Sequence, residues 1–521
     1  MKRRLPLLLA TLLFPALPFS ALAAEPTGCI YVELARLPVR YVGLGLAPAV
    51  DGSIDGTPAT MLVDTGAFDT VLTMTGVARR DLVLLMTGRH AEGFGGLTRL
   101  YSTRLEQFAI GPVQSRRSVN VGVVYEMTSP PSYDGIVGAP FLLQADFEVD
   151  LRARQLRFFR PRDCSGVPLK VWPEHTFAVP FVRSLSNSPN PHFTVKVNGK
   201  ELEALIDTGA HRSLMTRRAA RRIGIDVDAG GPGVTRLGDS GGVGAGRAAS
   251  WAARVDAVEI GDETVRDAEL HVVDAQGVDD ADLYLGQDFL RSHRVLFAMS
   301  QRKLYIAYLG GDVFTRGTSL EPWMQEEADN GNPDAQYTLA MMYGAGRGAP
   351  RDPQLARSWL EKAAAAGQPH ANLALGRQRL LAGHPADAIP LLRKALDQLP
   401  AEGFGPLWLY NARVRNGEPE LARKELATAL DKQHQDDWPQ PLARFYLGKI
   451  DAARLLDEAG RDRQFAAQRS CQANGYMAEW YAAGGDQAQS AALLATVRAQ
   501  CGARAAPAAP APRAEDADKA P

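Results

Sequence analysis

Two aspartates, Asp64 and Asp207, stand in near-identical settings: "MLVDTGAFDTVLT" over residues 61–73 and "ALIDTGAHRSLMT" over residues 204–216. In each, aliphatic residues (Leu62 and Val63; Leu205 and Ile206) lead into Asp-Thr-Gly-Ala, and a hydroxyl residue follows three positions after the alanine. Such a run can form a strand buried on both faces, with the Asp emerging at its end, where Thr-Gly permits a tight turn. A lone buried carboxylate is costly. Two brought together cannot both ionise at close range, so one keeps a proton. The pair then supplies a base and an acid from identical side chains. The ionised member activates a water and the protonated member polarises a carbonyl, and the two titrate as one dyad.

The duplication reaches beyond the phrase, at an offset of 143 residues. After the first Asp come "EGFGG" and "DGIVGAPFL"; after the second come "GDSGG" and "LYLGQDFL". Both halves close with a similar strand, "RQLRFF" or "RKLYIA". Asp64-Thr65-Gly66-Ala67 and Asp207-Thr208-Gly209-Ala210 resemble the active-site loops of pepsin-like and retropepsin-like aspartic peptidases. Ile136-Val137-Gly138 and Tyr284-Leu285-Gly286 are similar to the family's second landmark, the strand threading behind the catalytic loop. The resemblance covers roughly residues 30 to 310. It implies an all-β bilobal acid-protease fold with Asp64 and Asp207 as catalytic pair. Thr65, Gly66, Thr208 and Gly209 are the implied supports, the two threonines cross-linking the loops. Phe94 and Gly95, with Ser240 and Gly241, are the implied flap hairpins over an extended peptide. The chemistry needs no cofactor and no metal.

Three departures bear on that expectation. The second half lacks the Asp-Gly that precedes Ile136 in the first. The flap stretches offer Phe94 but no obvious tyrosine. His211 follows the second Asp-Thr-Gly-Ala directly, either as a loop residue pointing to solvent or as a neighbour that perturbs the dyad and moves the working pH upward.

The elements that must position these groups follow from composition and punctuation. A chain of 521 residues exceeds one ordinary core, and 45% hydrophobic with 22% charged residues marks it as globular. A net charge of −1 gives no reason to expect nucleic acid or an anionic membrane as partner. Lys2, Arg3 and Arg4, an apolar run from Leu5 and the Ala21-Leu22-Ala23 site read as a signal peptide over residues 1–23. No later run is long enough to span a membrane. The chain is therefore expected to be exported, and the periplasm suits the resemblance. Cys29 is near the new N-terminus, but Pro26-Thr27-Gly28 does not form a lipoprotein box, so lipidation there is the minor alternative. In an exported chain four cysteines form disulfides. Their positions favour Cys29–Cys164, bracketing the first phrase, and Cys471–Cys501 near the end.

The expected divisions are a first lobe over 24–165, a second over 166–312, helical repeats over 320–503 and a disordered Pro/Ala-rich tail over 504–521. Up to about residue 310 alternating runs such as "HFTVKVNG" read as strands. From about 322 apolar residues recur at helical spacing. "GNPDAQYTLAMMYGAGRG" from Gly331 and "GQPHANLALGRQRLLAGH" from Gly367 repeat with a period of 36, Ala335 answering Ala371 and Leu339 answering Leu375. This part resembles tetratricopeptide/Sel-like repeats, an all-α solenoid in which Tyr337, Trp359, Trp408 and Tyr476 pack between helices or line a concave peptide-binding surface.

Other patterns carry less. "GDSGG" is the nucleophile phrase of chymotrypsin-like serine peptidases, but no segment for the His base accompanies Ser240. "GGVGAG" has no dinucleotide-binding strand–helix unit around it. The histidines show no metal-ligand spacing. "TRRAARRIG" places Arg217/Arg221 and Arg218/Arg222 on one solvated helix face, with an anion-binding patch as the alternative. The sequence thus points to an exported, monomeric aspartic endopeptidase whose repeats recruit substrate or an envelope partner. The rival is a periplasmic interaction protein whose lobes bind peptides without cutting.

Overall fold

Alternation of side chains sets the strands. In Phe193–Val197 the residues Phe193, Val195 and Val197 are buried while Thr194 and Lys196 are exposed, the two-residue period of a half-buried strand. Where the sequence turns uniformly aliphatic, at Met61-Leu62-Val63 and Ala204-Leu205-Ile206, all three positions are buried. These elements are seen in a computed structural model that describes residues 29–501 except 165, 170–171, 185–187, 275–279, 315–319, 432–436 and 464. The expected signal peptide and the Pro/Ala-rich tail lie outside the described residues.

Each half builds its own sheet and then contributes to a shared one. The first half forms a ten-stranded sheet in which Thr57–Val63 lies between Ala47–Ile54 and Gly135–Val137. The second forms a seven-stranded sheet in which Lys200–Ile206 lies between Phe193–Val197 and Leu283–Leu285, with an added pairing of Phe193–Val197 to Ala248–Ile260. The two closing strands noted in the sequence, Gln155–Arg162 and Lys303–Tyr308, meet in a six-stranded sheet, three strands from each half. Its seam pairs Asp146–Asp150 with His293–Ala298, Phe147 opposite Phe297. That seam marks the internal twofold relation between the halves.

A run of helices begins at Pro322–Asp329 and continues through Pro333–Ala345, Pro353–Ala365, Pro369–Leu381 and Pro385–Gln398 to Gln487–Cys501. Proline opens the first five, where its missing N–H costs nothing. Asn332 and Asp352 cap their helices through side-chain oxygens. Ala335 and Ala371 are fully buried, and a Cβ at Gly376 would lie 2.8 Å from Leu392 Cγ. Small residues at these points let neighbouring helices close on one another, giving the expected solenoid. Of the singled-out aromatics, Trp359 is buried, Tyr337 stacks on His370, Tyr476 stacks on Phe404, and Trp408 lies under Arg377. All four pack within the array.

The array does not hang free. One hydrophobic core runs without a break from Leu37 in the first lobe through the second lobe to Leu375 in the helices. Arg212 pairs with Glu321 at 3.1 Å, Arg291 stacks over Trp323 at 3.0 Å, and Asn332 Nδ2 donates to Tyr41 O at 3.1 Å. Farther along, Arg79 Nε donates to Gln398 O at 2.9 Å. Both disulfides form as paired in the sequence reading, Cys29–Cys164 and Cys471–Cys501. The Cys29 sulfur is thereby committed, which corrects the lipidation alternative in this structure.

Candidate active site

Strand Thr57–Val63 delivers Asp64 and strand Lys200–Ile206 delivers Asp207. The strands behind hold both ends: Asp64 N–H donates to Val137 O at 3.0 Å and Asp207 N–H to Leu285 O at 2.9 Å. After each Asp the chain turns tightly, so that its own next amides reach back. Gly66 and Ala67 N–H donate to Asp64 Oδ1 at 2.9 and 3.0 Å, and Gly209 and Ala210 N–H to Asp207 Oδ1 at 2.9 and 3.1 Å. Each glycine lies against the opposite lobe's carboxyl. A Cβ at Gly66 would stand 2.7 Å from Asp207 Cγ, and one at Gly209 2.5 Å from Asp64 Cγ. Any side chain at either glycine would push the opposite carboxyl out of place.

Beneath the carboxyls the two threonines lock the loops reciprocally. Thr65 Oγ1 donates to Ile206 O at 2.7 Å and accepts Thr208 N–H at 3.1 Å. Thr208 Oγ1 donates to Val63 O at 2.8 Å and accepts Thr65 N–H at 3.0 Å. Both are fully buried, so each hydroxyl satisfies two backbone groups that water cannot reach.

The Asp64 and Asp207 carboxyls come together here, each against the opposite lobe's loop glycine, and each shifts the other's titration. Burial drives Asp207 well above the ordinary carboxylate range, and the Asp64 charge and hydrogen bond push the same way. Burial also raises Asp64, against hydrogen bonds from Asp207 and from the Gly66 and Ala67 amides that hold it down. Both carboxyls are raised and titrate together, so the pair keeps a proton where a free aspartate is already ionised. A base and an acid share one point. Tyr133, which sequence reasoning did not single out, is close enough for the Asp64 charge to add to burial in raising its hydroxyl.

The hydroxyl three positions after each alanine has a role as well. Thr70 Oγ1 accepts Gly138 N–H at 3.2 Å, and Ser213 Oγ accepts Gly286 N–H at 3.0 Å, pinning the loop to the strand behind it. The flap candidates fall in two hairpins. Phe94 and Gly95 make the turn between Leu85–Gly93 and Gly96–Leu105; Ser240 ends Val234–Ser240, and Gly241 follows it before Ala248–Ile260. The tips interlock, Gly95 N–H donating to Val243 O at 2.7 Å and Gly246 N–H to Gly95 O at 2.8 Å. Val243, like Ala67 and Tyr133, packs against the small cluster of Ala47, Leu62 and Ile136 beside the first Asp loop. Ser240 is thus a hairpin residue.

Packing decides three points that the sequence left open. Although the second half lacks Asp-Gly, it keeps the aspartate: Asp282-Leu283 stands where Asp134-Gly135 stands in the first. Asp134 accepts Thr60 N–H at 2.8 Å and is paired with Arg79 and Arg80. Asp282 accepts Glu203 N–H at 3.0 Å and is paired with Arg222. The same buried carboxylate braces both aspartate-bearing strands. His211 does not point to solvent; it lies against Gly45, and burial, with Arg212 and Arg291 nearby, lowers it to about 3. Neutral above that pH, it adds no charge to the dyad. The basic helix Arg217–Arg222 is no open anion patch, since Arg217 and Arg221 meet Asp228. Asn190 was missed entirely. Its buried amide donates to Thr65 O at 2.8 Å and to Ile206 O at 2.7 Å, bracing the threonine lock from a loop with no sequence signal. Among the described residues no group of three or more His, Cys, Asp or Glu is placed to hold a metal ion.

Residues 50–141 match the family described as aspartyl protease, and residues 193–292 the gag-polyprotein aspartyl protease family. The two lobes are retropepsin-like aspartyl protease domains. Residues 333–368 match the Sel1 repeat, the 36-residue unit seen in the sequence. The chain is also similar to an exopolysaccharide production negative regulator from Rhizobium leguminosarum bv. viciae, 34% identical over 83 residues. That stretch covers 16% of this chain and 31% of the relative, so the chain spans about a third of the length of the curated protein it matches. No helix among the described residues is long and apolar enough to cross a membrane around these protease-like lobes.

Proposed function

We propose that this chain is an exported aspartic endopeptidase. The observation that carries the reading is the convergence of the two Asp-Thr-Gly loops, locked by Thr65 and Thr208, which sets each loop glycine against the opposite aspartate's carboxyl. A water held between the carboxyls loses a proton to the ionised member while the protonated one donates to the scissile carbonyl. The tetrahedral intermediate then collapses as the leaving amine takes a proton, with no covalent enzyme intermediate. Thr65, Thr208, Gly66 and Gly209 hold the pair in register. The two hairpins, at Phe94-Gly95 and Ser240-Gly241, cover an extended polypeptide. Both lobes come from one chain, so a monomer assembles the dyad. The Sel1-type repeats serve protein–protein contact, recruiting substrate or an envelope partner. Two disulfides fit an oxidising compartment such as the periplasm.

One observation favours a second reading. The relative's printed name is that of a regulator, which suits a peptide-binding scaffold that does not cut. Incubating the mature chain with unfolded casein from about pH 3 to pH 7, beside Asp64→Asn and Asp207→Asn, separates the two. Cleavage that either substitution and a statine-type inhibitor abolish supports the peptidase. Casein binding that persists in both variants, with no cleavage by the parent, supports the scaffold.

A further inference from the structure

Asp437 belongs to the helical array, just before the short helix Gln440–Tyr446, yet its partners are in the first lobe. Arg99 Nη1 and Nη2 donate to its two oxygens at 3.2 and 2.9 Å, and the Tyr125 hydroxyl donates at 2.8 Å. The Arg99 guanidinium also lies 4.2 Å over the Tyr125 ring. Exposed single ion pairs contribute little. This one is two-pronged, backed by an aromatic face and partly buried, with the Asp437 side chain 30% exposed, the setting in which a charge-assisted pair fixes geometry.

Arg99 stands three residues beyond Gly96 in the returning strand of the first hairpin. Its Nε and backbone N–H donate to the Glu126 carboxylate at 2.5 and 2.7 Å, and Thr98 Oγ1 joins them at 2.9 Å. From there the connection passes to the second hairpin. Gly244 N–H donates to Glu126 O at 2.9 Å, and Thr128 N–H to Gly242 O at 3.0 Å. Polar contacts therefore run unbroken from the helical array through one hairpin to the tip of the other.

We propose that Asp437 is a positioning residue for peptide cleavage: it holds both hairpins above Asp64 and Asp207, so that the helical array forms part of the substrate enclosure. The role rests on the peptidase reading, because the hairpins have a substrate to hold only if that reading stands. It also gives the repeats a second task besides recruitment. A partner that displaces the segment at Asp437 loosens the roof of the site.

The test uses the full mature chain with Asp437→Asn, and Tyr125→Phe as a milder cut in the same contact. Amide hydrogen exchange is followed over residues 93–100 and 241–247, and steady-state cleavage of an unfolded casein fragment is measured beside it. Loss of a charge-assisted contact of this kind speeds exchange at both tips by about tenfold and raises KM by a similar factor, with kcat within about twofold. Tyr125→Phe gives a smaller shift in the same direction. Hairpin exchange equal to the parent's in Asp437→Asn overturns the latch, and faster exchange with unchanged KM overturns the positioning role. Exchange is read without reference to catalysis. A chain that cuts nothing, yet loses hairpin protection in the Asn variant, fails the peptidase reading while the latch stands.

Discussion

Thr208→Val removes one hydroxyl and keeps the shape of the side chain, which isolates the lock beneath the dyad. Two bonds go at once. The Val63 carbonyl loses its donor at 2.8 Å and the Thr65 amide loses its acceptor at 3.0 Å. Both groups face a fully buried position, so no water replaces the hydroxyl. Stranding one buried polar group costs about 1–3 kcal/mol, which puts the pair at about 2–6 kcal/mol. Domains are stable by only about 5–15 kcal/mol, so the loss takes a large share of the total. Urea unfolding of the full chain should show the midpoint fall steeply for Thr208→Val. Thr208→Ser, which keeps the oxygen and loses one methyl, should lose about 1 kcal/mol. A Val variant within about 0.5 kcal/mol of the parent would mean that the reciprocal bonds do not hold the lobes, and the reasoning here would fail.

Three further outcomes follow from the same geometry. In Gly209→Ala the new methyl would stand 2.5 Å from Asp64 Cγ. Relieving that contact shifts the carboxyl by about 1 Å, and kcat/KM should drop about a hundredfold while circular dichroism stays the same; an unchanged rate contradicts the packing. Asp207 is raised, so between the ordinary aspartate value and its folded value the native state holds a proton that the unfolded chain lacks. That contribution is complete at low pH and fades as pH rises through the folded value. Urea midpoints of Asp207→Asn should therefore gain on the parent above about pH 4, by up to about 1.4 kcal/mol per pH unit, whereas a difference flat in pH rules this out. Cys471→Ser with Cys501→Ser opens a 30-residue separation, which should cost the last helix pair about 3.6 kcal/mol and lower its melting temperature; equal melting of the two proteins contradicts the staple.

What could be read from the sequence was what is local and repeated. The Asp-Thr-Gly-Ala loops, the apolar strands before them and the 36-residue helical unit keep their meaning in any surroundings, because turn geometry and burial pattern are fixed within a few residues. Asp282 escaped notice because Leu283 replaces the glycine that flags its counterpart, although the carboxylate and its arginine are retained. The orientation of His211 depends on Gly45, a residue far away in the chain, and no local pattern carries that information. Asn190 braces both Asp-Thr-Gly loops from a segment whose only local marks are Pro and Ser. The contact between Asp437 and Arg99 joins residues 338 apart and arises only from how the helices wrap the lobes. Sites set by packing between distant elements stay hidden until the fold is built.

The dyad itself is tested most directly by kcat/KM for casein cleavage against pH, from about 2 to 8, in the parent and in each single Asp→Asn variant. Two carboxyls that share one proton give the parent a bell, with its alkaline limb above the ordinary aspartate range because Asp207 is raised, and leave both variants without measurable cleavage. A variant that still cuts, or a parent rate that does not change with pH, contradicts the account.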